Sequence, residues 1–157
     1  MKITLLVVGK TDKEFVKMGI SEYQNRLIHY LPFEIKVIPD VKKGRKVNQQ
    51  QQKEKEGELI LSQVKAGDLL ILLDEGGKEF TSVDFSRFVE QKMVTGVKNL
   101  IFVIGGPYGF SSSVYQKAQG KVSLSRMTFS HQMIRMIFIE QLYRAMTILK
   151  GEPYHHI

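Results

Sequence analysis

In residues 99–109, NLIFVIGGPYG, an unbroken apolar run from Leu100 to Ile104 leads straight into Gly105-Gly106-Pro107. An apolar run without polar alternation reads as a strand buried on both faces, the condition of a central strand in a parallel sheet. Two residues lacking a Cβ then let main chain approach main chain, or a ligand. Ser111-Ser112-Ser113 follow, with side chains suited to capping a helix. A strand, a glycine loop and a helix start in that order belong to α/β folds, which commonly place ligands at such strand ends. A tight turn that merely needed glycine accounts for Gly105-Gly106 equally well at this point.

The rest of the chain follows the same grammar. Ile3–Val8 reads as a first buried strand. Thr11-x-x-Glu14 has the spacing of a capping box and opens a helix carrying Phe15, Ile20, Tyr23, Leu27 and Tyr30, stopped by Pro32. Phe33–Ile38 alternates as a strand with one wetter side. Residues 41–57 are polar, with Lys42, Lys43, Arg45, Lys46, Lys53 and Lys55 against only Glu54 and Glu56. They read as a solvated loop running into a helix, or as a basic loop that touches phosphate. Leu59, Ile60 and Val64 continue that helix to Gly67, and Leu69–Leu73 is a third, central strand. Asp74–Lys78 is expected as a loop, with Ser82 capping a helix that carries Phe85, Phe88, Val89 and Met93 up to Gly96.

Beyond the glycine loop come a short helix near Ser113–Gln119, a strand at Val122–Ser125 and a last helix from His131 to Lys150. That helix is apolar almost all round and needs two burying surfaces: the sheet and, by expectation, a second copy of the protein. Alternating strands and helices predict a three-layer α/β/α fold with a mostly parallel sheet, one domain over residues 1–157.

Several chemistries are excluded. The 157 residues contain no cysteine, so disulfides, thiolate metal sites and a cysteine nucleophile are absent, which fits a reducing cytoplasm. Ile3–Val8 is too short for a signal sequence, and no apolar run approaches the ~18 residues of a membrane span. The expectation is a soluble, unexported protein. Val8-Gly9-Lys10-Thr11 lacks a dinucleotide fingerprint, and neither a P-loop nor a G-x-S-x-G elbow occurs. No metal is expected: adjacent His155 and His156 point apart, and with Glu152 they lie in a tail free to fray. The net charge of +7 favours a polyanion such as nucleic acid. Main-chain amides and carbonyls of the glycine loop, together with a second loop at Leu124–Phe129, suit a neutral heterocycle such as that of an adenosine-containing ligand.

The segments IFVIGGPYG, SLSRMTFSHQMIRMIFIEQLYRA and GEPYHH, with the opening MKITLLVVGK and KEKEG, resemble the RlmH family of SPOUT-class methyltransferases over essentially the whole chain. The resemblance implies methylation of N3 of a pseudouridine in large-subunit ribosomal RNA by S-adenosylmethionine, and the small size of the chain suggests that the assembled ribosome helps hold the substrate. It also implies a cytoplasmic homodimer and a C-terminal deep trefoil knot, which general base rates would argue against. Carried over by position, it implies cofactor contacts at Leu73, Gly105, Leu124, Ser125, Arg126, Met127, Thr128 and Phe129, with Gly106 permitting close approach. One departure is Ser130, where the family often has proline; a slightly looser loop is expected there.

By the same resemblance His155 is the candidate for proton handling or base positioning, and imidazole suits that task near neutral pH. Arg135 and Arg144, nine residues apart on the last helix, are candidates for binding RNA phosphate or stabilising an anion. They could instead only pair with Glu140. Two rivals stand beside this reading. An enzyme of the same fold acting on tRNA would need an appended RNA-binding domain, for which the chain has no room. A non-catalytic RNA-binding or ribosome assembly factor would not bind S-adenosylmethionine.

Overall fold

The computed structural model describes residues 1–41 and 47–156. The basic residues Lys42, Lys43, Arg45 and Lys46 of the expected phosphate-touching loop therefore lie outside the described residues. The elements run β1 (Lys2–Val8), α1 (Glu14–Leu27), β2 (Phe33–Ile38), α2 (Gln49–Ser62), β3 (Leu69–Glu79), α3 (Ser82–Val94), β4 (Asn99–Ile104), α4 (Ser112–Lys117), β5 (Gly120–Ser123) and α5 (His131–Leu149).

The five strands form one parallel sheet in the order β2-β1-β4-β3-β5. The apolar runs are buried on both faces because alternate side chains enter two separate cores. Ile3, Leu5, Val7, Leu100, Phe102 and Ile104 pack with α1, α3 and α5. Leu6, Leu70, Leu72, Ile101 and Val103 face Ile60 of α2 and Val114 of α4. Helices therefore cover both sides, giving three layers. No helix among the described residues is long and apolar enough to cross a membrane.

Several local expectations change. Thr11 does not cap α1: the cap position is Lys13, without a side-chain bond, and Thr11 Oγ1 instead accepts from Arg135. Thr81 rather than Ser82 caps α3, and Ser111 caps α4. Asn48 and Gln51 form a reciprocal capping box on α2. β3 continues through the expected loop: Leu73 and then Lys78 both pair with Val122, and the residues between bulge out. Gly77 makes this possible, since a Cβ there would stand 2.7 Å from the main chain of Lys121 and Val122. β5 ends at Ser123, leaving Leu124 and Ser125 in the following loop.

The second burying surface of α5 comes from its own chain. Phe138, Ile139, Leu142, Ala145 and Met146 are buried in the core that also holds α1 and α3. Met136 packs its Sδ against Gly19 of α1. Met133, Ile134, Met136 and Ile137 stay only partly buried.

Candidate functional site

Parallel pairing aligns the carboxyl ends of the strands along one edge. Leu73 is paired with Ile104 and with Val122, so the start of the β3 bulge stands beside the carboxyl ends of β4 and β5. The chain leaving β4 forms the glycine loop, the chain leaving β5 forms residues 124–129, and the first turn of α5 closes the space between them. The result is a cavity of about 350 Å³, within the size range of small-molecule sites. Leu73, Gly105, Gly106, Leu124, Ser125, Met127, Thr128 and Phe129 all line it, joined by Asp74, Phe110, His131 and Ile134.

Arg126 is the exception. Its side chain is 87% exposed and reaches Glu79 at 3.4 Å rather than lining the cavity. An ion pair in that much solvent contributes little.

The glycines answer to packing inside the chain. A Cβ on Gly105 would stand 2.9 Å from the Phe110 ring, and one on Gly106 would fall onto the Glu56 carboxyl group. The second loop is braced internally: Ser123 Oγ donates to the Ser125 carbonyl at 3.0 Å, and Met127 N–H donates to Ser125 Oγ at 2.9 Å. Ser130 takes up a role in α5. Its Oγ accepts from Met133 N–H at 3.2 Å and caps α5.

Asp74 holds the cavity rim. Its carboxylate accepts from Tyr115 Oη at 2.5 Å and from Gly76 N–H at 2.7 Å. Burial, then the bond to Asp74, pushes the Tyr115 phenol up to about 12. The strand-ending position immediately after Leu73 was the signal available for Asp74.

Arg135 and Arg144 are not brought together. Arg135 is 2% exposed and donates to the carbonyls of Val8 (2.8 Å) and Gly9 (2.9 Å) and to Thr11 Oγ1 (3.0 Å). Burial lowers its pKa, partly offset by Asp40 and Asp12. The expected phosphate contact is therefore corrected: Arg135 ties α5 to the end of β1, as Gln132 does through Asp12 N–H.

Arg144 belongs to a different cluster, at the far end of α5. Its Nη2 donates to Glu140 Oε1 at 2.6 Å, and its Nη1 lies 3.1 Å from His155 Nδ1. Burial opposes its charge, but the hydrogen bond and charge of Glu140, with Tyr154 and Tyr23, together raise its pKa, so Arg144 stays charged. Tyr154 Oη donates to the same Glu140 oxygen at 2.8 Å, and the guanidinium sits 4.7 Å from the Tyr154 ring centre. Both partners, the expected Glu140 and the tail, share one arginine. The tail does not fray: Tyr30 Oη also donates to Glu152 at 2.5 Å.

A family model described as "Predicted SPOUT methyltransferase" matches residues 1–155. A "Ribosomal RNA large subunit methyltransferase H" of Parabacteroides distasonis is 64% identical, with 99% of each chain covered. Proteins of the same name from Flavobacterium johnsoniae and Porphyromonas gingivalis (strain ATCC 33277) are 60% and 56% identical over the same shares. With its strand-end cavity and matching residues over nearly its whole length, the chain belongs to the SPOUT methyltransferase family.

Proposed function

We propose that the protein methylates N3 of a pseudouridine in large-subunit ribosomal RNA with S-adenosylmethionine, acting as a cytoplasmic homodimer on the assembled ribosome. The observation that carries this reading is the convergence on one cavity of the β3 bulge and the loops that leave β4 and β5. The names of the relatives supply the RNA class, and the net charge of +7 suits a polyanionic substrate. The deep trefoil knot is part of the proposal. Its support is that the chain leaves β5 at the sheet edge and returns to lay α5 against both α1 and α3.

The cavity fits the cofactor's chemistry. Leu73, Ile104, Leu124, Phe129 and Ile134 offer apolar walls for an adenine ring, and the two loops bring main-chain groups to its edges. S-adenosylmethionine would supply an activated methyl group on a sulfonium. Leu73, Gly105, Gly106 and residues 124–129 would hold it, with Arg126 at the outer face of that loop.

His155 and Arg144 are the groups proposed to act on the base. An arginine only donates hydrogen bonds, so His155 Nδ1 accepts from Arg144 and its ring proton sits on Nε2. In that state Nε2–H can hold a base carbonyl oxygen and stabilise the anion left when the N3 proton departs to solvent water. Ile134 lines the cavity, whereas Arg144 lies about 15 Å further along the helix at about 1.5 Å per residue. This separation supports a homodimer in which the tail of one copy serves the cavity of the other.

Two measurements test the reading. Calorimetry should give saturable S-adenosylmethionine binding; no binding favours a non-catalytic assembly factor. Mass spectrometry of ribosomal RNA from cells lacking the protein should show one methyl group missing from a pseudouridine and restored by add-back. An unchanged modification pattern overturns the assignment.

A further inference from the structure

Helix α2 carries one charged side chain to a place where charge is costly. Glu56 is 3% exposed, and its Oε2 has no hydrogen-bond partner among the described residues. It abuts the glycine loop, for a Cβ built on Gly106 would fall onto its carboxyl group. Gly106 lines the cavity, so the carboxyl backs the stretch of main chain that forms the cavity wall. The next residue, Gly57, presses on Ser111, the cap of α4. α2 therefore seats against both ends of the loop running from Gly105 to Ser111.

We infer that Glu56 is the positioning residue of the glycine loop, its buried carboxyl fixing where Gly105 and Gly106 stand against a ligand in the cavity. The inference rests on the reading of that cavity as the S-adenosylmethionine site. Burial, and then the nearby Asp40, raises the Glu56 pKa, while a bond from Gln52 of the same helix acts the other way. Asp40 follows β2, presses on Gly9 and also faces Arg135 of α5. Among the described residues Asp40 is the charged group that acts on Glu56, and the start of α4 meets α2 through Ser111 and Val114. A neutral carboxyl fits this setting, because burial disfavours the charged form. Once ionised it carries an unsolvated charge facing another carboxylate, and the loop is the part free to give way.

The test is calorimetric titration with S-adenosylhomocysteine between about pH 6 and pH 9, above the ordinary carboxylate range because burial raises the Glu56 pKa. The wild-type affinity should fall toward the alkaline end. Glu56→Gln, equal in shape and unable to ionise, should remove that fall. Glu56→Ala should weaken binding about tenfold, as expected for losing one buried contact behind a binding loop. Without ligand, it should also speed hydrogen exchange at the amides from Gly106 to Phe110. If Glu56→Ala does not fold, the Glu56→Gln profile decides. A Gln variant with the wild-type pH dependence, or an Ala variant with unchanged affinity and exchange, overturns the role of Glu56. Failure of the wild type to bind at any pH overturns the cavity reading instead, and the exchange measurement still judges Glu56.

Discussion

Arg144 Nη1 stands 3.1 Å from His155 Nδ1, and this contact dictates which ring nitrogen carries the proton. Glu140 holds the same guanidinium from its other side at 2.6 Å, so helix and tail act as one unit. A shared arginine of this kind orients a histidine while remaining charged itself.

His155→Ala should therefore lower kcat by about 10²-fold or more, within the range of a lost polar catalytic group, with cofactor affinity unchanged. Arg144→Lys should lose nearly as much, because one ammonium cannot reproduce the planar fork to Glu140 and His155. Single-turnover kinetics beside calorimetry would check both, and a full rate with either variant would remove the cluster from the reaction.

Gly105→Val should abolish S-adenosylhomocysteine binding. Its Cβ would meet the Phe110 ring at 2.9 Å, and Phe110 belongs both to the cavity wall and to the core beneath. Overpacking of this type costs about 1–3 kcal/mol, so thermal unfolding should shift while circular dichroism retains the fold. Unchanged affinity would count against the loop.

Arg135→Met should reduce stability by roughly 1–3 kcal/mol, because the buried carbonyls of Val8 and Gly9 lose their donors. Its RNA affinity and the salt dependence of binding should match wild type. A direct phosphate contact would instead lower the salt slope by about one unit.

Ile137→Glu should shift the proposed homodimer to monomer in sedimentation, since Ile137 lines an open hollow with Phe80, Phe129 and Gln141. Met136→Glu should unfold the chain rather than separate copies, because Met136 packs on Gly19. A wild type that sediments as a monomer would refute the dimer.

The tail should loosen at alkaline pH. The hydrogen bond to Glu152, then burial, raises the Tyr30 phenol from 10.0 to about 12. A raised folded pKa means the contact contributes fully below pH 10 and is lost as pH climbs toward 12. Tyrosinate absorbance and limited proteolysis of the tail would follow this, and Tyr30→Phe should release the tail at neutral pH.

What the order of residues determined was whatever local physics sets. Double burial of Leu100–Ile104 and Leu69–Leu73 required a covered parallel sheet, and the glycines after Ile104 marked a strand exit. Leu73, Gly105 and Leu124–Phe129 were legible because each lies at the end of an expected strand; main-chain chemistry joined the two loops to one ligand, and only the resemblance added Leu73. Tertiary structure decided the rest. Glu56 and Glu54 look alike in KEKEG, yet only Glu56 is buried, because the glycine loop folds over it. Arg135 and Arg144 look like a pair, yet one is consumed by the carbonyls of β1 and the other by the tail. Burial and partnership are properties of whatever segment, 50 or 120 residues away, arrives against a side chain. Periodicity within a helix cannot carry that information.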